Sequence, residues 1–101
     1  MRYNLYATFR LLAGVKNGSL PLPNGTTVRE AVQAIVAVHP ALRPHWLDEN
    51  GDVQPHVHIF ANGSDVALLP DGLETPLESV AVLDFFAPVG GGCGSMLVLQ
   101  R

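Results

Sequence analysis

Between Thr26 and Pro40 the sequence TTVREAVQAIVAVHP sets the strongest constraint on the fold, because it alone carries a helical rhythm with its own start and stop. Val28, Ala31, Val32, Ile35 and Val38 fall at i, i+3, i+4, i+7 and i+10, which places them in one apolar stripe of a helix. Thr27 and Glu30 have the spacing of a capping box, in which each side chain takes the backbone N–H of the other. The residue before a proline avoids helical dihedrals, so His39-Pro40 closes the segment. The expectation is one helix from about Val28 to His39, packed by Val28, Ala31, Val32 and Ile35. A helix with a single apolar stripe has to be covered by another layer.

The rest of the chain supplies that layer as strands. RYNLYATFRL alternates: Tyr3, Leu5, Ala7, Phe9 and Leu11 share one face, and Arg2, Asn4, Tyr6, Thr8 and Arg10 the other. Period two over ten residues predicts a half-buried strand. Gly14 and Asn17-Gly18 read as a turn. Leu20 and Leu22 then resume the alternation as a short second strand, which Pro21 and Pro23 restrict to a free edge. ALRPHWLDENGDVQP reads as a connecting loop, with Trp46 and Leu47 plugging the edge of the core. HVHIFANGSDVALL predicts a third strand, a tight turn at Asn62-Gly63 and a short return strand. PDGLETPLES reads as irregular. In VAVLDFFAP, Ala81, Leu83 and Phe85 oppose Val82, Asp84 and Phe86, and Asp84 marks the solvent side, so Phe86 is expected on the exposed face. The order predicts an α+β roll: one mixed sheet with one main helix across it.

Composition narrows the partners. The chain has 101 residues, suited to one domain with one core. It is 48% hydrophobic and only 15% charged, too apolar for a disordered segment. A net charge of −3, with Lys16 the single lysine, argues against nucleic acid, whose phosphates demand clustered basic residues. Cys93 is the lone cysteine, so no internal disulfide forms and the plain expectation is a reducing, cytoplasmic setting. The N-terminus lacks the apolar stretch of a signal peptide. No apolar run approaches the ~20 residues of a membrane helix.

The chain closes with FFAPVGGGCGSMLVLQR. Glycines without Cβ atoms let a backbone enter a narrow channel and leave a terminal carbonyl unhindered, which suits a tail delivered into another protein's active site. From the glycines alone, a flexible end is an equally good reading.

Taken together, these words resemble the ubiquitin-like sulfur carriers. LYATFRLLAG is similar to that family's first strand and turn, LPNGTTVREAVQAI to its second strand and capped helix, ANGSDV to its hairpin, and FFAPVGGG to its closing F-F-P-P-V-x-G-G. The resemblance covers residues 1–92 and is strongest at the end, where it is closest to the small subunit of molybdopterin synthase; the thiamine-biosynthesis carriers are of the same kind. Ala87 stands where the family has its first proline. The resemblance implies a β-grasp domain over 1–89, followed by a glycine tail and extension over 90–101. It implies a protein that is a substrate of enzymes rather than an enzyme, and that binds no cofactor of its own. A ubiquitin-activating-like adenylyltransferase would use ATP to adenylate the carboxylate of Gly92. A sulfur donor, a cysteine desulfurase or a rhodanese-like protein, would then convert it to a thiocarboxylate, which an acceptor synthase would use. Gly91 and Gly92 match the diglycine, and Gly90 the variable position before it. Phe86, Pro88 and Val89 flank the tail as expected partner contacts.

The residues after Gly92 depart from that pattern, since an amide at Gly92 cannot be adenylated. Three explanations stand. The chain is a proform cut between Gly92 and Cys93 by a protease; the resemblance implies a zinc metalloprotease of the deubiquitinase type, as related carriers with short extensions use. Or it has lost carrier chemistry and remains a binding module. Or part of CGSMLVLQR is an appended junction, for which Gly-Ser-Met is a common sequence. A protein modifier, joined through Gly92 to lysines of other proteins, shares the same fold. His56 and His58 alternate as a metal pair would, but without further ligands nearby they read as a solvent-facing strand, and no metal site is expected. Cys93 abuts the scissile bond, a position open to a nucleophile, but nothing near it in sequence would lower its pKa, so it reads as a junction residue. The product that receives the sulfur is not legible.

Overall fold

The computed structural model describes residues 1–87. Its central sheet has five strands: β1 (Arg2–Leu5), β2 (Asn17–Ser19), β4 (His58–Ala61), β5 (Ser64–Asp65) and β7 (Val82–Phe86), in the order β2-β1-β7-β4-β5. The remaining strands, β3 (Thr26–Thr27) and β6 (Pro76–Leu77), pair antiparallel as a separate two-stranded piece. The helices are α1 (Thr8–Ala13), α2 (Val28–Val38) and α3 (Arg43–Trp46). As expected, the first and last long strands are neighbours and parallel, with Arg2, Tyr3, Asn4 and Leu5 opposite Val82, Leu83, Asp84 and Phe85. The other edge of β7 is antiparallel to β4, and β1 is antiparallel to β2. This is the mixed sheet of a β-grasp roll.

The main helix begins where the capping box placed it. The Thr27 side chain accepts from the Glu30 N–H at 3.1 Å, and the Glu30 carboxylate accepts from the Thr27 N–H at 3.0 Å. Val28, Ala31, Val32 and Ile35 are buried, as expected. The fifth buried residue is Val36, whereas Val38 is half exposed, because the stripe drifts with the helical period and turns position 38 away from the sheet. Tyr3, Leu5, Ile59, Ala61, Leu83 and Phe85 supply the sheet's side of the core.

Several expectations need correction. The alternation through Leu11 does not continue as a strand: β1 stops at Leu5, Ala7 adopts φ 53°, and Thr8–Ala13 is helical. Phe9 is buried while Leu11 is largely exposed, since Leu5, Phe9 and Leu12 also fit a helical spacing. Asn17-Gly18 is not a turn but the body of β2, and Leu20 and Leu22, expected there as strand, lie beyond it, half buried against the core. Gly18 opposes Tyr3, and a Cβ at Gly18 would lie only 2.3 Å from the Tyr3 hydroxyl, so the site admits glycine because of its partner rather than its backbone. Residues 40–46 are a 3-10 turn and a short helix instead of a loop. Trp46 is not an edge plug but a fully buried centre, stacked on Phe85 at 4.3 Å and edge-on to Phe9 at 5.4 Å. The stretch read as irregular contains β6. The turn at Asn62-Gly63 is as expected, with φ 51° and 86° at its two central residues.

Candidate functional site

The parallel pairing of β1 with β7 decides what surrounds the point where the tail leaves the sheet. Both strands run to the same end, and the ladder continues one step past β1, where the Tyr6 N–H donates to the Phe85 carbonyl at 3.3 Å. Tyr6 is thereby carried beside Phe86 on the outer face. Their rings stack at 4.5 Å with 7° between planes. From the other side β4 delivers Phe60, whose ring meets Phe86 edge-on at 5.5 Å. His58 lies opposite Phe86 in the register and is exposed. The result is an aromatic plate at the foot of the tail, on the face away from α2.

One carboxylate stands in this plate. Asp84 precedes Phe86 by two residues and so shares its face. The Asn4 amide donates to Asp84 Oδ1 at 2.8 Å, and the Tyr6 hydroxyl donates to the same oxygen over a long 3.5 Å. The Tyr6 phenol is held above its ordinary range, first by desolvation against its neighbours, then by the negative charge of Asp84 and its hydrogen bond. Among the described residues, both side-chain partners of Asp84 thus meet the same oxygen, Oδ1. Phe86 is 36% exposed and Tyr6 40%, so the plate is accessible.

The plate has no nucleophile paired with a base, and among the described residues no group of three or more His, Cys, Asp or Glu is placed to hold a metal ion. His56 and His58 do not form a pair on a strand: β4 begins only at His58, and the His56 ring is engaged with the His45 carbonyl at 3.0 Å. A cleft of about 430 Å³ opens between β4 and the segment after β5, with Val57, Ile59, Val66 and Leu73 on its walls and His58 and Asp65 at its rim. No described helix is long and apolar enough to cross a membrane. What the plate offers is a small exposed apolar and aromatic surface with a single anionic anchor, the make-up of a protein contact.

Of the expected site residues, Phe86 is where the alternation put it. Pro88, Val89, Gly90, Gly91, Gly92 and Cys93, with the expected boundary between 89 and 90, lie outside the described residues. Tyr6, Phe60 and Asn4 are the parts of the site that sequence reading did not assemble. The signal was present as parity, since Tyr6 falls on the polar face of the first strand and Phe60 shares a face with His58. What joins them to Phe86 is the strand order, which parity does not encode.

Comparison with known proteins bears on most of the chain. A model of the ThiS family matches residues 3–92. Small archaeal modifier protein 3 of Haloferax volcanii is 33% identical over 92 residues, covering 91% of this chain and 98% of that protein. Small archaeal modifier protein 1 of the same organism is 30% identical over 92 residues, covering 91% of this chain and all of that protein (100%). The crystal structure of SAMP1 from Haloferax volcanii superimposes with a TM-score of 0.80 at 26% identity, over 90% of this chain and 97% of that one. The β-grasp, ubiquitin-like fold is shared throughout.

Proposed function

Because the chain belongs to the ThiS family, a group of ubiquitin-like sulfur carriers and protein modifiers, we propose that it carries sulfur as a thiocarboxylate on Gly92 after cleavage of the Gly92–Cys93 bond. The observation that supports this most directly is the extent of the family match, which runs to Gly92, leaving CGSMLVLQR outside it. An adenylating enzyme activates the Gly92 carboxylate with ATP, and a sulfur donor displaces the nucleotide. The plate of Tyr6, Phe60 and Phe86, with Asp84 beside it, is the docking face for that enzyme and for the acceptor synthase, of molybdopterin type on the resemblance of the closing residues. The setting is cytoplasmic, where the activating enzyme and its ATP are found.

A second reading is favoured by a specific observation: both curated relatives are named modifier proteins. In that reading the same activated acyl group passes to an amine of another protein and forms an amide.

Intact-mass measurement separates the two. The chain ending at Gly92, given an activating enzyme of the same genome, ATP and a sulfur source, is expected to gain the mass difference between sulfur and oxygen. The 101-residue chain is expected not to change. Cellular protein should include a species ending at Gly92. If the shortened chain is adenylated but takes up no sulfur, and is found amide-linked to other proteins, the modifier reading replaces the carrier reading. If it does neither, both fail.

A further inference from the structure

We propose that the outer edge of β4 is a second interaction surface: it takes an extended peptide segment of another protein as an added strand, with an aliphatic, then a Lys or Arg, then an aliphatic side chain. It lies on the side of β4 away from β7 and does not depend on the chemistry of Gly92. The surface exists because β5 covers only half of β4. Ala61 pairs with Ser64 and Phe60 with Asp65, and there the pairing ends. The Asp65 carboxylate accepts from the Ala67 N–H at 3.0 Å and starts the 3-10 turn Val66–Leu68, which carries the chain off the sheet. His58 and Ile59 are left without a strand on that side.

The direction of the backbone groups at this edge follows from the ladder on the other side. The Asn62 N–H donates to the Val82 carbonyl at 2.8 Å. Backbone groups alternate sides along a strand, so Asn62, Phe60 and His58 turn theirs toward β7, and Ala61, Ile59 and Val57 turn theirs to the opposite edge. The Val57 N–H is already used, donating to the Gln54 carbonyl at 3.2 Å. Among the described residues, the Ile59 N–H and the Val57 carbonyl have no hydrogen-bond partner. They are the donor and the acceptor that flank the position opposite His58 in an added antiparallel strand.

Beside this edge lies the cleft of about 430 Å³ walled by Val57, Ile59, Val66 and Leu73. That volume is within the roughly 300–1,000 Å³ of clefts that hold ligands. In an added strand, the residue opposite His58 shares the outer face with His58, and its two neighbours turn to the face of Val57 and Ile59, into the cleft. The apolar walls select aliphatic side chains at those two positions. Charge selects the middle one. Asp65 stands at the rim, Asp71 precedes the lining residue Gly72, and among the described residues no Lys or Arg lines the cleft. Asp65 is opposite Phe60, on the face of His58, so a cation in the middle position meets a carboxylate on the line that β5 would have continued.

The test titrates the full 101-residue chain, labelled with heavy nitrogen, with the end-blocked peptide Ser-Ile-Lys-Ile-Ser and follows the Ile59 amide by NMR. Saturable binding is expected, with a downfield shift of the Ile59 N–H and exchange with solvent slowed about tenfold. N-methylation of the second isoleucine, whose N–H meets the Val57 carbonyl, should weaken binding about tenfold while leaving every side chain in place. Ser-Ser-Lys-Ser-Ser should not bind, and Ser-Ile-Glu-Ile-Ser should bind about fivefold more weakly than the lysine peptide. Asp65→Asn keeps an oxygen for the cap at Ala67 and should reduce that preference for lysine over glutamate. An unmoved Ile59 amide, binding that survives the N-methylation, equal binding of the lysine and glutamate peptides, or an unchanged preference in Asp65→Asn would each overturn the proposal. So would another occupant: cross-peaks to Ile59 from residues 93–101 of the same chain, or an Ile59 shift that grows with protein concentration in the absence of peptide. None of these readouts involves Gly92, so they stand apart from the outcome of sulfur loading.

Discussion

Phe85 and Phe86 are consecutive and chemically identical, yet the sheet sends them to opposite sides, so truncating each in turn tests the assignment of the docking face. Phe85 has no exposed surface and stacks on Trp46 at 4.3 Å. Replacing a fully buried phenylalanine with alanine costs about 3–5 kcal/mol. Phe86 retains 36% of its surface. Full burial of such a side chain is worth about 1.5–3 kcal/mol, so about two-thirds of that, or 1–2 kcal/mol, is the expected cost of Phe86→Ala. The two substitutions should differ by about 2 kcal/mol, a gap several times the uncertainty of a denaturation midpoint. The assay is urea unfolding followed by the fluorescence of Trp46, the single tryptophan. Phe85→Ala should lower the midpoint strongly, and Phe86→Ala modestly, with unchanged slopes. Binding to the activating enzyme should fall at least fivefold for Phe86→Ala. An equal loss of stability for both, or unchanged binding by Phe86→Ala, would refute the division into a core face and a docking face. Alanine is preferable to aspartate here, because a second carboxylate near Asp84 would add repulsion to the loss of contact.

Other consequences are open to direct measurement. Thr27→Ala removes the acceptor that holds the Glu30 N–H at 3.1 Å and should cost about 1 kcal/mol, read as a shift in urea midpoint. Gly18→Ala places a methyl group 2.3 Å from a Tyr3 hydroxyl that is itself bonded to His39 Nε2 at 2.8 Å, and should destabilise by about 1–3 kcal/mol; a neutral or stabilising effect would show that β2 is free to move. Burial pushes the Tyr3 phenol above its ordinary range, so the folded state holds that proton more tightly than the unfolded chain. That contribution to stability is complete below the unfolded value and is lost as pH rises through the folded one, so unfolding midpoints should decline in alkaline solution, less steeply in Tyr3→Phe.

The helix and the last strand were legible because each carries its own periodicity and punctuation: Thr27 and Glu30 cap one, and Asp84 marks the faces of the other. The first segment misled because Tyr3, Leu5 and Phe9 satisfy a period of two while Leu5, Phe9 and Leu12 satisfy a helix, and only the backbone reversal at Ala7, φ 53°, decides between them. Asn17-Gly18 was read from its turn chemistry, whereas its glycine serves the approach of the Tyr3 ring from a neighbouring strand. The two-residue strands β3 and β6 are too short to leave a period at all. Trp46 reads as an edge plug because it lies in a stretch without a strand or helix period, but its partners, Phe9 and Phe85, come from distant parts of the chain. The aromatic plate shows the same limit: each aromatic residue sat on the correct face, and their meeting depended on strand order.

The central position of β7 has a mechanical consequence. A load applied along β7 from its Phe86 end acts on the middle strand of the sheet. That strand is hydrogen-bonded to β1 on one side and β4 on the other, with four registered residues facing each neighbour. A force along the strand loads both ladders in shear, so their bonds must yield together rather than one by one as at a peeled edge. A load along β7 is therefore shared by both ladders at once, the direction in which a sheet resists most.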